Sequence, residues 1–289
     1  MQKVLQSLQL ALLNIGYAHL NTDWNYDNVI SPFTRLYYIT KGSARVYHSK
    51  KEFELQPGYM YLIPSFIYSR YTCDHYHEQY YISFFEEIKN GISVFNLTPF
   101  VYQIKAAPMD MHYFERLLEI NPERALIDDD PKVYDNRPTL LNFQKKNEQL
   151  SSAEYLETNG ILRILLSRFM NEQSDINIKA RAINDISQTI SYISENLHRE
   201  ITVSELASFC HLSTDHFSRV FKRQFGMPPN FYMQSKRVER AQLLLLTTNH
   251  SLQQIAEKVG LENLSYFSRV FKKHAGKTPG NFRKQQMRV

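Results

Sequence analysis

Six residues, Phe217-Ser-Arg-Val-Phe-Lys222, recur fifty positions later as Phe267-Ser-Arg-Val-Phe-Lys272, and Gly226 and Pro229 recur as Gly276 and Pro279. A chain that writes one segment twice in this way is expected to fold it into two similar units. Each copy has the same setting of a capped helix, a short turn, and a second helix ended by glycine. Thr202 with Glu205 three residues on reads as a capping box, with Leu206 and Phe209 turned inward. Ser251 and Gln254 do the same for Leu252, Ile255 and Val259. The turns are Cys210–Leu212 and Gly260–Glu262, and Ser213 and Asn263 cap the helices that follow. Phe217, Phe221 and Phe225, and in the second copy Phe267 and Phe271, fall at i, i+4 spacing and make a buried stripe.

The stripes fix what faces outward. In the first copy these are Asp215, His216, Ser218, Arg219, Lys222 and Arg223; in the second, Ser265, Tyr266, Ser268, Arg269, Lys272 and Lys273. A helix of this kind suits the DNA major groove, where arginine pairs bidentately with guanine and small hydroxyls reach base edges, while lysines further along meet phosphates. A solvated basic face on an ordinary amphipathic helix explains one copy alone; duplication favours DNA reading. Residues 230–247 form one helix between the copies, with Val238, Ala241, Leu244 and Leu245 inward. At 1.5 Å per residue it is about 27 Å long, close to the roughly 34 Å between successive major-groove faces.

Charge follows the same division. Residues 180–289 hold 16 Lys/Arg against 8 Asp/Glu, whereas residues 1–179 hold 18 against 21, so the surplus that would meet a polyanion is C-terminal. Tyrosine runs the other way, with 16 of 19 copies before residue 180. The two cysteines, Cys73 and Cys210, are too few for a disulfide framework. No run approaches the roughly 20 apolar residues of a membrane helix, and no secretory signal opens the chain, so a cytoplasmic protein is expected.

Residues 29–85 alternate short β-branched or aromatic runs with turns, among them Phe33–Thr40, Ala44–His48, Phe53–Leu55, Tyr59–Ile63 and Gln79–Phe85, the spacing of a sandwich or barrel. A short helix is expected from about Met109, with Tyr113-Phe114 and Leu117-Leu118 on one face. Residues 121–138 read as an exposed loop. A second helix at 153–171 carries the stripe Leu156, Ile161, Leu162, Leu165, Leu166 and Phe169.

The C-terminal third, densest at Ser251–Phe282 (SLQQIAEKVGLENLSYFSRVFKKHAGKTPGNF), resembles the AraC/XylS family of bacterial transcription regulators. Leu261, Asn263 and Phe282 depart mildly from its usual phenylalanine, aspartate and tyrosine. The resemblance implies base contacts from Asp215, Ser218 and Arg219 and from Ser265, Ser268 and Arg269. It also implies an α+β chain of two domains. Residues 1–172 would form a cupin-like β-barrel for effector binding and dimerisation, residues 173–182 a linker, and residues 183–289 an all-α domain with two helix-turn-helix motifs joined by the long helix.

Leu55-Gln-Pro-Gly-Tyr-Met-Tyr-Leu-Ile-Pro64 looks like a turn and strand of such a barrel. Alternation then makes Arg35, Tyr37, Tyr68, Gln79 and Tyr81 candidates for lining an effector pocket, with rings and polar groups suited to a sugar or an aromatic compound. The corresponding helical region in relatives implies a homodimer through Leu162, Leu165, Leu166 and Phe169, although packing on the barrel accounts for the same stripe. His75, His77 and Glu78 have the spacing of a cupin metal site, but the later histidine is missing, so no metal is expected. No nucleophile elbow, phosphate loop or paired carboxylates argue for catalysis. The expectation is therefore a regulator without enzyme activity or cofactor. Its partners would be promoter DNA, a small-molecule effector and RNA polymerase; the sign of regulation is not legible, activation being favoured.

Overall fold

The computed structural model describes residues 5–87, 93–96, 99–130, 137–170, 189–190, 192–193 and 196–285. The chain divides into two compact units, one built on Gln9–Glu86 and Thr98–Asn171, the other on Glu172–Arg288 together with Met1–Leu8 and Glu87–Leu97. The expected linker, 173–182, lies outside the described residues.

In the first unit the strands are β1 (Gln9–Asn21), β2 (Tyr26–Val29), β3 (Thr34–Gly42), β4 (Ala44–His48), β5 (Lys51–Leu55), β6 (Tyr59–Ile63), β7 (Ser69–Thr72), β8 (Tyr76–Glu87) and β9 (Gln103–Lys105). They form two sheets, ordered β1-β8-β3-β6-β9 and β2-β7-β4-β5, so the expected barrel is an open two-sheet sandwich. One apolar core draws on both sheets: Tyr37, Ile39, Tyr61, Ile63 and Tyr81 from the first, and Val29, Val46, Phe53, Leu55 and Tyr71 from the second. The sheets therefore pack face to face, as alternating strands with one buried face require. The Gln56-Pro57-Gly58 turn is built as its residues suggest, with Gly58 at φ 79° and its N–H donating to the Ile39 carbonyl at 2.9 Å.

Three helices, α1 (Pro108–Ile120), α2 (Arg137–Glu148) and α3 (Ser152–Ser167), belong to the same unit, and all three touch β1. Phe114 of α1 packs on Tyr38 and Tyr80, the residues of β3 and β8 that point away from the sandwich core. The α3 stripe is spent here. Leu162, Leu165, Leu166 and Phe169 are all buried, so these four cannot supply a dimer surface. Leu156, expected in the stripe, instead lies on the exposed side of the helix. The stretch expected as an exposed loop also differs. Asn121 and Arg124 are buried, and Arg124 Nη1 donates to the carbonyls of Leu12, Leu13 and Phe143, anchoring residues 121–130 on β1. Burial lowers the guanidinium pKa to about 10, which leaves it charged at neutral pH.

In the second unit α4 (Val203–Phe209) and α5 (Thr214–Phe225) form the first helix-turn-helix, α6 (Pro229–Thr247) is a rod of about 28 Å, α7 (Leu252–Lys258) and α8 (Leu264–Ala275) form the second motif, and α9 (Pro279–Gln285) follows. The caps are largely those expected. Thr202, Ser213, Ser251 and Asn263 accept from the backbone N–H three residues on. Ser251 and Gln254 close a full capping box, but Glu205 does not, because its carboxylate is taken by Arg199 and Tyr192. These partners hold its pKa down to about 2. Phe209, expected inward, is exposed and packs against Tyr192 with the two rings tilted by 31°.

The duplication carries an offset of its own. Leu212 N–H closes the first turn on the Ala207 carbonyl and Leu261 N–H closes the second on Ala256, 49 residues apart, whereas the following helices are 50 apart. The second turn thus has one extra residue before its cap. Its left-handed position is Gly260 (φ 67°), and the first turn places His211 (φ 55°) there.

Candidate nucleic-acid interface and effector cavity

The two second helices, α5 and α8, present matching faces. Phe217 and Phe221 are fully buried under one, Phe267 and Phe271 under the other. Ring contacts Phe217–Phe221 and Phe267–Phe271, at 5.5 and 5.8 Å, fix each helix by its inner side. What remains is directed outward. Asp215, His216, Arg219, Lys222 and Arg223 are exposed and Ser218 is half-buried; Ser265, Arg269, Lys272 and Lys273 are exposed and Ser268 is half-buried. Basic residues occupy the last turn of both helices, Lys222 and Arg223 in one and Lys272, Lys273 and His274 in the other, where they also complement the helix dipole. Gly226 and Gly276, both at φ 74°, end the two helices.

Three predicted contact residues on α8 have prior engagements. Tyr266 accepts a hydrogen bond from Gln234 Nε2 of the rod at 3.0 Å, and the Arg269 guanidinium lies 5.3 Å over its ring. Lys273 turns back to within 5.6 Å of the Phe231 ring. The first motif's counterparts of Tyr266 and Lys273, His216 and Arg223, have no partner of this kind among the contacts the described residues make. Local spacing carries no signal for the Gln234–Tyr266 and Phe231–Lys273 links, because they join positions more than thirty residues apart.

A family model described as "Helix-turn-helix domain" matches residues 206–285, within this unit. The bifunctional transcriptional activator/DNA repair enzyme AdaA of Bacillus subtilis (strain 168) is 40% identical over 92 residues, 32% of this chain and 44% of that protein. The arabinose operon regulatory protein of Escherichia coli (strain K12) is 30% identical over 132 residues, 45% of this chain and 44% of that protein. The C-terminal unit is therefore a helix-turn-helix domain similar to that of AraC-type regulators such as the arabinose operon protein. Among solved structures, the C-terminal domain of the two-component response regulator yesN from Fusobacterium nucleatum subsp. nucleatum is 39% identical, with 35% of this chain covering 98% of that one at a TM-score of 0.34. The chain spans less than half the length of the curated relatives it matches.

Ahead of the helix-turn-helix domain, the sandwich holds a cavity of about 560 Å³. Alternation along β3 and β8 brings Arg35, Tyr37, Gln79 and Tyr81 to it, with Ser83; residues 17–20 of β1, Trp24 and residues 125–129 complete the lining. Tyr37 pairs with Tyr81, and Arg35 with Ser83, across the β3–β8 register. Arg35 is buried, its guanidinium bonded to Ser31 Oγ and 4.9 Å from the Phe33 ring. Gln79 is buried and its Oε1 has no hydrogen-bond partner among the described residues. Tyr68 is not part of the cavity; it sits before β7, exposed, with its hydroxyl on Asp27 and its ring against Tyr47. Trp24, the single tryptophan, was not among the expected lining residues because it lies in the turn after β1 rather than on an alternating strand.

The histidines near this wall do not converge. His75 is exposed and precedes β8, His77 is buried with its ring tilted against Trp24 at 4.6 Å, and Glu78 bonds Tyr17 on the other face. Among the described residues no group of three His, Cys, Asp or Glu is placed to hold a metal ion, and no helix is long and apolar enough to cross a membrane.

Proposed function

We propose that this chain is a cytoplasmic, sequence-specific transcription regulator, not an enzyme, that reads promoter DNA through α5 and α8 and responds to a small molecule held in the sandwich cavity. The observation carrying the DNA reading is the pair of capped helices, each fixed by buried phenylalanines and each offering a serine, an arginine and a basic last turn to solvent. Arg219 and Arg269 are assigned to base edges with Ser218 and Ser268, and Lys222, Arg223 and Lys272 to phosphates. Footprinting of the full chain on genomic fragments tests this. A protected promoter segment covering two adjacent major grooves is expected; protection of no defined segment at moderate ionic strength, with or without candidate ligands, sinks the reading.

The cavity supports the second half. Trp24, Tyr37 and Tyr81 offer ring faces, while Gln79 Oε1 and the carboxylates of Asp128 and Asp129 offer acceptors, which together suit a ligand pairing an apolar face with hydroxyl donors, a sugar or an aromatic compound. A thermal-shift screen of sugars and phenols against the full chain checks it, with a Gln79→Leu variant expected to abolish any shift. For association we propose a homodimer through the outer side of α3, where Leu156 and Ile164 are exposed and Gly160 leaves open space between them. RNA polymerase is the remaining expected partner, the domain limits proposed are 1–172, 173–182 and 183–289, and no sign of regulation is assigned.

A further inference from the structure

We infer that Arg237 and Gly260 are positioning residues that clasp the segment 197–199 between them and so set the distance between base clusters at which the two reading helices can bind together. The inference rests on DNA reading by α5 and α8 and goes beyond it, because it concerns the geometry of the pair and not what either helix contacts.

The segment 197–199 leads into the first motif, two residues ahead of the Thr202 cap. On one side the buried Arg237 of the rod donates from Nε to the Leu197 carbonyl at 3.2 Å and from Nη2 to the Arg199 carbonyl at 2.6 Å. On the other side the second motif's turn packs directly on the same peptide groups: a β-carbon at Gly260 would lie 2.5 Å from the Leu197 carbonyl oxygen and 2.9 Å from the His198 carbonyl carbon. A desolvated guanidinium is tolerated only while its donors are satisfied, so Arg237 cannot leave those carbonyls without a large penalty. Both elements thus meet at the Leu197 carbonyl.

The duplication supplies an internal control. His211 occupies the equivalent turn position of the first motif at φ 55° and is exposed, so the left-handed conformation does not by itself demand glycine in this fold. What distinguishes Gly260 is the close approach to Leu197, which leaves no room for any side chain.

The rest of the seam is polar and incompletely filled. A cleft of about 410 Å³ opens there, lined by Arg199, Asn230, Gln234, Arg237, Glu262 and Tyr266. Gln234 reaches across it to the Tyr266 hydroxyl, which ties the second reading helix to the rod. Apolar packing is non-directional, but these few contacts have fixed geometry, so they define how one motif is turned relative to the other. One inserted base pair moves a site by about 3.4 Å and rotates it by roughly 34°. A clasped pair should reject such an insertion and a loosened pair should absorb it.

The test uses the full chain and a site chosen by selection from random duplexes, then lengthened by one and two base pairs between its two protected clusters. Wild type is expected to lose about tenfold or more in affinity on a two-base-pair insertion. Gly260→Ala and Arg237→Met should bind a duplex carrying only one cluster as wild type does, yet discriminate between the spacings by only about threefold or less. Arg237→Lys should recover part of the discrimination. Gln234→Ala, which disturbs no buried group, provides the same readout if the other variants fail to fold by circular dichroism; it should relax discrimination by about twofold to threefold. Folded variants that keep the wild-type spacing preference, or a wild type indifferent to spacing, overturn the inference. A wild type that selects no site at all overturns the DNA-reading proposal instead.

Discussion

Tyr81 lies across Gly16 of the neighbouring strand, its phenol ring occupying the space a β-carbon at position 16 would fill, and its hydroxyl accepts a 2.7 Å hydrogen bond from the Leu126 backbone N–H. One aromatic side chain thus links the cavity floor to the 125–129 segment over it. Gly16→Ala should displace the ring, break that bond and destabilise the sandwich by about 2 kcal/mol. Tyr81→Phe, which keeps the ring and loses only the hydrogen bond, should cost about 1 kcal/mol. Urea unfolding monitored by Trp24 fluorescence measures both, and equal effects would show that the hydroxyl, not the ring position, is what matters.

Arg219→Ala and Arg269→Ala should each lose roughly 1–3 kcal/mol of binding on the selected site, with specificity relaxed at one cluster or the other. Lys222→Ala should weaken all sequences alike and reduce the salt slope by about one. Titrations on specific and random duplexes at several salt concentrations separate the two. Uniform losses in the arginine variants would remove them from base reading.

His48 and His77 are buried in the sandwich, one stacked on Phe53 and the other against Trp24, and burial pushes both imidazoles down to about 4 from an ordinary 6.5. Each is therefore neutral in the fold and more readily protonated in the unfolded chain. Stability from this source is complete above pH 6.5 and is lost as the pH falls from 6.5 towards 4, by up to about 3 kcal/mol for each residue. Unfolding midpoints measured between pH 7.5 and 4.5 should fall accordingly. The slope should flatten in His48→Phe and His77→Phe, and an unchanged slope in the double variant would place the acid lability elsewhere.

Leu165→Ala should cost about 2–5 kcal/mol of stability without altering the association state, because Leu165 is fully buried within its own chain. Leu156→Arg combined with Ile164→Arg should leave stability nearly unchanged and convert a dimer to monomer in analytical ultracentrifugation. A dimer surviving the double arginine variant would move the proposed interface off α3.

What could be read from the sequence was local. The caps of Ser213, Ser251 and Asn263 and the phenylalanine spacing of α5 and α8 depend on residues within one or two helical turns, and β3 and β8 announce themselves because one face of each differs from the other. The strand β1 was not visible in Leu-Ala-Leu-Leu-Asn-Ile, since both its faces are covered and no alternation survives. Arg124 looked like loop surface, and only carbonyls more than a hundred positions away make it a buried anchor. Likewise the α3 stripe declared itself apolar but not what it would lie against. Glu205 failed as a capping partner because Arg199 competes for it, a choice that local spacing cannot decide.

The two helix-turn-helix copies are not interchangeable. A chimaera carrying the first motif's turn in the second position would bring the His211 side chain against the Leu197 carbonyl, whereas the reverse exchange would place a glycine at the exposed position of His211. The order of the duplicates along the chain is therefore fixed by a bearing surface unrelated to the bases either one meets, and drift after duplication had far more freedom at one elbow than at its twin.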